Sequence, residues 1–364
     1  MDQPEPPAIR FDLRESVSII CCQMQKEMRR FLVSAFFVVW ASGILCLGKE
    51  DTVSPESLLA RARKQQDVWS DGTPASKVRT EIEILDANGK STHGQYVVTW
   101  MSPSRWREEL EIADYRRVRV HDSKGYWQQS TLGFQPELAF RLDSMLDFKT
   151  ILKIGAKQTL GKVKTRDKNG VRQKCTEVKW TMSTERVLCF DEASGSLLSV
   201  EYPRSESQNP PDISRVDYGA FNKLGDKAIP YEVHAFRDRT VVITAKVVDV
   251  TPITQEDPEL FAPPINSEFW PHCDDMQSPE LENRVPPEYP VGARTNGEQG
   301  RVVFYAVIEA DGTLSHLTPI RRATPTLESA AADALRQWHY KPATCGSMPI
   351  RMETSIPVSF WIRR

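Results

Sequence analysis

The sequence predicts a mainly β protein, in which a curved, half-barrel-like antiparallel sheet domain is followed by a smaller α+β C-terminal module. Three observations support this fold class. Apolar and polar residues alternate with a period of two through much of residues 53–253. A connector rich in proline and acidic residues follows. Residues 285–364 then place a helical apolar stripe between strand-like runs.

The composition excludes some classes of protein. The 47 basic residues nearly balance the 49 acidic ones, so a basic face for nucleic acid is not expected. Apolar residues make up 40% of the chain, which is enough for packed cores and argues against disorder throughout. A length of 364 residues agrees with more than one domain.

The first 48 residues have the pattern of a targeting segment. Residues 1–27 are polar and mixed in charge, and we interpret them as a mis-called start or a disordered N-terminus. Residues 28–48 begin with Met28-Arg29-Arg30 and continue as the uncharged run FLVSAFFVVWASGILCLG. Positive residues ahead of one apolar run indicate a signal peptide or a membrane anchor. Cleavage before Lys49 and retention both stay open, and both export the residues that follow.

Export determines how the cysteines are interpreted. Beyond residue 48 the chain has Cys175, Cys189, Cys273 and Cys345, an even number in an oxidising compartment. We predict the disulfides Cys175–Cys189, within a hairpin, and Cys273–Cys345. Because no Cys-x-x-Cys or His-x-x-x-His spacing is present, no metal and no cofactor are predicted.

The sheet domain is predicted to start with a helix and continue mostly as strands. Ser54 and Pro55 suit the cap and first position of the helix, and a second helix is predicted from Pro136. Five charged residues, Arg105, Arg107, Glu108, Glu109 and Glu111, are interpreted as a solvated ladder. The predicted strands are a run from Lys77 to a turn at Asp86, then Gln95–Met101, Trp106–Ile112, Arg117–His121, Thr159–Thr165, Gln173–Trp180, Arg186–Phe190, Leu197–Tyr202, Val216–Asn222, Tyr231–Arg237 and Thr240–Val250.

Two stretches of this domain resemble the LolA/LolB-type lipoprotein-carrier family. They are GQYVVTWMSPSRWREEL (Gly94–Leu110) and DYGAFNKLGDKAIPYEVHAF (Asp217–Phe236). The resemblance, over residues 53–253, implies a half-barrel that wraps helices and holds acyl chains. A plain curved scaffold with a filled core is the alternative.

Residues 254–284 are predicted to be a linker between two separately folding domains. The segment is rich in proline and acidic residues and shows no periodicity. A composition of this kind is typical of a semi-extended connector.

The C-terminal module, residues 285–364, is predicted to be a helix packed on a three-stranded sheet. A short helical turn begins at Tyr289-Pro290, and strand Arg301–Glu309 returns through the Asp311-Gly312 turn as Leu314–Ile320. Thr326 is predicted to cap a helix whose apolar stripe runs to Trp338. The last strand alternates from Ile350 to Ile362.

This module resembles the C-terminal domain of TonB, the energy transducer of diderm bacteria. The motifs that carry the resemblance are PEYPVGA, the Gly-Arg-Val that opens the first strand, the Asp-Gly hairpin, and AADALRQWHYKPA. Their key residues are Tyr289, Pro290, Ala293, Gly300, Asp311, Gly312, Trp338, Tyr340 and Pro342.

The resemblance implies that the last strand pairs with a peptide from an outer-membrane receptor by strand addition. The matching residues are Arg351, Met352, Glu353, Thr354, Ser355, Ile356, Val358, Ser359 and Phe360. Pro357 lacks an N–H, so the strand ladder is expected to break or bulge there. We expect this edge of the sheet to be free.

These features together predict an exported, non-catalytic envelope protein. No nucleophile–base pair, phosphate-binding loop or Gly-x-Ser-x-Gly motif is present. The first hypothesis is a transducer or adaptor in TonB-type transport, located in the periplasm or on the inner membrane, that binds envelope partners. The second is a periplasmic carrier of lipid or lipoprotein in which the TonB-like module only docks. An uncleaved N-terminal segment would add membrane attachment.

Overall fold

A computed structural model describes residues 53–86, 88–155, 157–180, 183–203, 213–273 and 276–362. The predicted targeting segment and the residues before it lie outside the described residues. Within the described ranges, no helix is long and apolar enough to cross a membrane.

Fourteen strands of the described chain form one antiparallel sheet that curves and stays open. The strand order is β14-β5-β4-β3-β2-β1-β13-β12-β11-β10-β9-β8-β6, and β7 pairs with β8. The strands are β1 (Ser76–Leu85), β2 (Ser91–Ser102), β3 (Arg105–Ile112), β4 (Tyr115–His121), β5 (Gly125–Ser130), β6 (Gln158–Leu160), β7 (Lys164–Lys168), β8 (Val171–Trp180), β9 (Ser183–Asp191), β10 (Leu197–Glu201), β11 (Arg215–Leu224), β12 (Lys227–Arg237), β13 (Thr240–Pro252) and β14 (Glu268–Pro271).

Three helices cover the inner face of this sheet. They are α1 (Pro55–Gln66), α2 (Glu137–Leu146) and α3 (Phe148–Ile151). The Ser54 hydroxyl accepts a hydrogen bond from the Ser57 amide at 3.1 Å, so the predicted cap is present. Leu58 and Leu142 from the helices pack with Phe190 and other strand residues in one apolar core. The helices therefore pack on the sheet and share its apolar core.

The C-terminal module has two further helices, α4 (Val291–Thr295) and α5 (Pro325–Leu335). Its strands are β15 (Met276–Gln277), β16 (Glu280–Asn283), β17 (Gly300–Ile308), β18 (Leu314–Arg321), β19 (His339–Lys341), β20 (Ala343–Cys345), β21 (Met348–Ile350) and β22 (Met352–Phe360). Among the described residues, β18, β17 and β22 form a three-stranded sheet in that order. Leu327 and Leu335 of α5 pack against Phe304 and Ile356 of the sheet, as the apolar stripe predicts.

Three details of this module correct the sequence interpretation. Helix α5 is capped at Thr324 and not at Thr326, because Pro325 occupies the first helical position, where a missing N–H costs nothing. The helix ends at Leu335, and Trp338 packs on the core from beyond it. The last alternating run is divided at Arg351, which lies between β21 and β22.

The segment predicted to be a linker contains regular structure. It forms a 3₁₀ helix at Pro258–Phe261 and three short strands. Strand β14 pairs with β5 of the large sheet, whereas β15 pairs with β20 and β16 with β19. Strands of two to four residues are too short to show a period, so the pattern missed them. Separate folding of the two modules remains a prediction.

Both predicted disulfides are present. Cys175 and Cys189 lie opposite each other on β8 and β9, with Cα atoms 4.1 Å apart. Cys273 and Cys345 have Cα atoms 5.5 Å apart and join the second half of the connector to β20.

Candidate functional site

The motif residues of the C-terminal module are packed into its fold. Gly312 adopts a positive φ of 86°, and a Cβ there would lie 1.9 Å from the carbonyl oxygen of Tyr340. The Tyr340 amide donates to the Gly312 carbonyl at 2.9 Å. The Asp311 carboxylate accepts from the Thr313 amide at 2.9 Å and fixes the same turn. The Asp-Gly pair therefore holds the hairpin against the segment after α5.

The aromatic motif residues have a similar structural role. The Tyr289 ring meets the edge of Phe360 at 5.5 Å between centroids, and the Trp338 indole donates to the Val285 carbonyl at 2.7 Å. Ala293 is buried. Pro290 precedes α4, Gly300 begins β17, and Pro342 lies between β19 and β20. These positions explain a shared fold, and a binding surface has to be found elsewhere in the module.

Strand β22 is the predicted partner-binding strand, and it forms an edge of its sheet. In the described part of the chain it pairs with β17 alone. The pairing is continuous from Gly300↔Phe360 to Ile308↔Met352 and has no register shift. The break or bulge expected at Pro357 is therefore absent. In an edge strand every second amide points away from the neighbour, and a proline at such a position removes no ladder bond.

The two faces of β22 differ in exposure. Ile356, Val358 and Phe360 are buried beneath α5, whereas Ser355 and Ser359 are exposed. Met352, Glu353 and Thr354 are half-buried. Since Ser355 and Ser359 are each two residues from Pro357, their amides point in the same outward direction. The exposed part of the edge thus runs over the second half of the strand.

The first part of the predicted segment is tied to the sheet domain. The Arg351 guanidinium lies 4.3 Å from the centroid of Trp270 and 3.3 Å from a carboxylate oxygen of Glu268. Glu353 accepts hydrogen bonds from Gln128 at 3.2 Å and Tyr305 at 2.9 Å. Arg351 and Glu353 therefore contact the neighbouring module in this structure.

Glu353 also joins a buried ionic cluster on the inner face of the large sheet. We define the inner cluster as Glu108, Arg117, Arg119, Asp143 and Glu353. Arg117 is 1% exposed and makes two hydrogen bonds of 2.7 Å to Asp143. Arg119 lies 3.1 Å from Glu108 and 3.7 Å from Glu353.

The inner cluster corrects the interpretation of Glu108 as part of a solvated ladder. Glu108 is buried, and the hydroxyl of Tyr96 donates to its carboxylate at 2.7 Å. Glu109, one residue later, is on the outer face, where it pairs with Arg107 at 2.9 Å and Arg116 at 3.3 Å. The prediction of a charged ladder on the outer face holds for Glu109 and is wrong for Glu108. Neighbouring residues of a strand point to opposite faces of the sheet.

Burial and charge act in opposite directions on Glu108. Burial alone would raise the pKa of its carboxyl, but the adjacent His121 imidazole and the guanidinium groups of Arg119 and Arg117 hold that pKa well below its ordinary range. For His121, burial lowers the pKa of the imidazole and outweighs the opposite effect of the Glu108 carboxylate, whose oxygen lies 4.0 Å from Nε2. The two arginines add to the lowering. The Nε2 atom of His121 is buried and finds no hydrogen-bond partner among the described residues. The pKa values of Glu108 and His121 are therefore both lowered in the folded protein.

A cavity of about 430 Å³ opens beside the inner cluster. We call it the aromatic cavity. Trp106 stacks on His121 with 3.5 Å between ring centroids. The lining residues are Asp67, Val68, Trp69, Pro103, Ser104, Trp106, His121, Asp122, Ser123, Gly125, Leu146, Asp147, Phe148 and His272. Sequence reasoning missed this site, although the two histidines and three carboxylates were visible as scattered residues.

Metal binding finds no support in the described residues. No three histidine, cysteine or carboxylate side chains among them are grouped to hold an ion. The arrangement instead offers an exposed strand edge in one module and a cavity in the other.

Comparison with known proteins assigns the C-terminal module. Residues 285–362 match the family described as Gram-negative bacterial TonB protein C-terminal. Protein TonB of two strains of Xanthomonas campestris pv. campestris, B100 and ATCC 33913, is 29% identical over 80 residues. The match covers 22% of this chain and 36% of each relative, so the chain spans about a third of their length.

Three solved structures show partial similarity to this chain. The solution structure of the Pseudomonas aeruginosa TonB C-terminal domain is 21% identical, covers 25% of this chain and 98% of that chain, and has a TM-score of 0.22. A putative outer membrane lipoprotein-sorting protein domain from Vibrio parahaemolyticus is 13% identical, covers 56% and 94%, and has a TM-score of 0.39. A LolA superfamily protein from Nitrosomonas europaea is 13% identical, covers 58% and 98%, and has a TM-score of 0.38. The family match confirms the resemblance of residues 285–362 to TonB C-terminal domains.

Proposed function

We propose that this protein is a non-catalytic envelope adaptor that binds an extended peptide of a partner protein along the free edge of β22. The observation that carries the proposal is the position of β22, which ends its sheet with one paired and one unpaired side in the described chain. A strand edge of this kind offers main-chain donors and acceptors to an added strand. The family match of residues 285–362 supports a partner in the cell envelope. An outer-membrane receptor is the proposed source of the peptide, and the periplasm is the proposed compartment.

The exposed half of β22 sets the length of peptide that can pair. Ser355 and Ser359 supply outward amides, and Pro357 between them supplies a carbonyl but no donor. Arg351 and Glu353 are already held by the sheet domain through Trp270 and Gln128. We therefore expect a short contact over residues 354–360, with modest affinity that depends on side-chain packing as well as on the ladder.

The edge can be tested by removing one outward amide. Ser355→Pro should abolish partner binding and leave the fold intact, because this amide faces away from β17. Ser355→Ala is the matched control, since it removes the hydroxyl and keeps the N–H. A photo-crosslinking residue at Ser359 reports contact with envelope proteins in living cells, and mass spectrometry identifies the crosslinked segment. The same partners crosslinked at the same yield by Ser355→Pro and by the parent would rule out this edge as the binding surface.

A second candidate function is carriage of lipid or lipoprotein in the sheet domain. The observation that favours it is an apolar pocket of about 50 Å³ between the helices and the sheet, which shares Val68, Trp69, Leu146 and Phe148 with the aromatic cavity. Leu146 and Phe148 from the helices form part of its wall. An acyl chain would have to displace α2 and α3 to enter further.

A further inference from the structure

We propose that the aromatic cavity binds a saccharide, with one face of a sugar ring on tryptophan and its hydroxyl groups on polar side chains at the rim. This inference goes beyond the proposed function and is independent of strand addition at β22. The cavity volume of about 430 Å³ falls in the usual range of small-molecule sites and leaves room for a sugar ring. Three features of the lining determine this ligand class.

The first feature is a pair of tryptophan rings in the cavity wall. Trp69 and Trp106 both line the cavity and are half-buried, so part of each ring stays open to a ligand. Trp100 is 1% exposed and lies behind both, with ring centroids 5.6 Å and 6.1 Å from theirs. These contacts hold the two rings in place before a ligand arrives. The electron-rich face of indole attracts the polarised C–H bonds that a sugar presents on one face of its ring.

The second feature is unused hydrogen-bonding capacity at the rim. Asp122 accepts the amides of Lys124 and Gly125 at 2.7 and 2.9 Å, both through Oδ1. In the described part of the chain its Oδ2 accepts no hydrogen bond, and both Asp122 and the neighbouring Ser123 are exposed. The turn thus fixes the carboxylate and leaves one oxygen for a donor. The hydroxyl groups of a sugar are such donors, and a hydrogen bond to a charged acceptor is stronger than one between neutral groups.

The third feature is the mixture of polar and apolar residues in one small space. Half of the described lining residues carry a polar side chain, and the others include Val68, Leu146 and Phe148. A purely apolar ligand would leave the polar groups without partners, which costs free energy when water is displaced. A linear polyol would pair with them and leave the indole faces unused. A sugar ring meets both demands, because its C–H bonds and its hydroxyl groups point in different directions.

The test is calorimetric titration of the full chain with four probes. Maltose and N,N′-diacetylchitobiose are disaccharides with different substituents, sorbitol carries hydroxyl groups without a ring, and indole is a flat ring without hydroxyl groups. We expect at least one disaccharide to bind at least tenfold more tightly than sorbitol and indole, and saturation-transfer NMR to show its ring C–H protons in contact with the protein. Absence of binding by both disaccharides would overturn the saccharide. Equal or tighter binding of sorbitol or indole would overturn it as well.

A change at the rim tests whether the saccharide lies in the aromatic cavity. Asp122→Asn keeps Oδ1 for the turn amides and replaces Oδ2 by an amide nitrogen, so it should weaken binding of the disaccharide about tenfold. Asp86→Asn is the matched control, because Oδ1 of Asp86 accepts the amides of Asn88 and Lys90 in a turn outside the described lining. This control should keep the parent affinity.

A change in the wall provides an independent test. Trp106→Leu removes one of the two rings and should also weaken binding at least tenfold. Trp127→Leu is its control, because Trp127 packs on Phe269 with 5.0 Å between ring centroids and lies outside the described lining. Circular dichroism confirms that each variant is folded before it is titrated. Unchanged affinity in both Asp122→Asn and Trp106→Leu, or equal losses in these variants and their controls, would overturn the aromatic cavity as the site.

Discussion

At the scale of residues, the inner cluster is the part of this molecule where single side chains matter most. Removing one member of a buried ion pair leaves the other charge without compensation in a medium of low dielectric constant. Arg117 is the most buried member, and it bonds Asp143 through both terminal nitrogens. Its loss should therefore be felt by two carboxylates, Asp143 and Glu108.

We predict that Arg117→Met lowers the free energy of unfolding by about 3 kcal/mol. This value is at the lower end of the range for breaking a buried ion pair, because Asp143 is partly exposed. Arg116→Met is the control on the same strand. Arg116 is 58% exposed and pairs with Glu109 on the outer face, so its loss should cost less than about 1 kcal/mol. Urea unfolding followed by circular dichroism measures both. Equal effects of the two variants would contradict the assignment of Arg117 to the interior.

The buried imidazole of His121 predicts a pH dependence of stability. Burial lowers its pKa in the folded state below the ordinary 6.5, so the unfolded chain binds more protons as the pH falls through 6.5. The free energy of unfolding should accordingly decrease from pH 7 to pH 5. Glu108, whose folded pKa is also lowered, adds to this loss only below about pH 4.5. Unfolding curves at pH 7, 6 and 5 give the slope.

His121→Phe keeps a ring to stack on Trp106 and removes the titrating group. This variant should show a flatter dependence between pH 7 and pH 5 than the parent protein. His93→Phe, at an exposed position of β2, is the control and should keep the parent slope. If His121→Phe keeps the parent protein's slope of unfolding free energy against pH, groups other than His121 cause the pH dependence.

The placement of Glu108 could have been predicted from the sequence. It lies on the same face of β3 as Trp106, Leu110 and Ile112, which point to the core. On β4, Arg117 and Arg119 lie on the same face as Tyr115. The register then sets Glu108 opposite Arg119. A buried ion pair is indicated when a carboxylate at a core-facing position of one strand lies opposite an arginine at a core-facing position of the next strand. The position of Glu353 beside them depends on docking of the two modules, which no local pattern encodes.

At the scale of elements, the hairpin turn at Asp311-Gly312 limits what the C-terminal module tolerates. Gly312→Ala should destabilise the module for two reasons. An alanine at positive φ costs about 1–2 kcal/mol, and its Cβ would also collide with the Tyr340 carbonyl at 1.9 Å. Gly89→Ala is the matched control, because Gly89 has a φ of 77° and no atom within 4 Å of an added Cβ. Thermal unfolding should show a clearly larger loss for Gly312→Ala, and equal losses would contradict the close approach.

Elements differ in how well the sequence predicts them. Strand β1 alternates between buried and exposed residues almost from end to end, and its prediction is confirmed. Strand β5, GYWQQS, was missed because it has few apolar residues and gains its stability from pairing with β4 and β14. Strand β14, which has four residues, is too short to show a period. Short strands at a sheet edge are formed by long-range pairing, and a sequence window contains only one of the two partners.

At the scale of the whole molecule, the connector decides whether the modules behave as separate folding units. Its first half, with Leu260 and Ile265 41% and 82% exposed, has few buried contacts. Its second half pairs with strands of both modules and carries Cys273. The modules also meet through a small apolar cluster of Trp270, Tyr305 and Val307 and through the ion pairs of Glu353. Protease attack is therefore expected between residues 257 and 266.

We predict that limited proteolysis first cuts within residues 257–266 and leaves two resistant fragments. A cut there precedes Cys273, so the fragments need no shared disulfide and should separate without reducing agent. A cut after Cys273 would instead leave the pieces joined by Cys273–Cys345 until they are reduced. Gel electrophoresis with and without reductant distinguishes these cases, and mass spectrometry locates the cut.

A double variant tests whether docking of the modules protects the connector. Glu353→Gln combined with Arg351→Met weakens the contacts with Arg119 and Trp270 and should speed the cut. Arg336→Met is the control and should not speed it, because the exposed guanidinium of Arg336 pairs with Asp333. Loss of both modules together, without a stable intermediate, would show that they unfold as one cooperative unit and that the two-domain prediction is wrong.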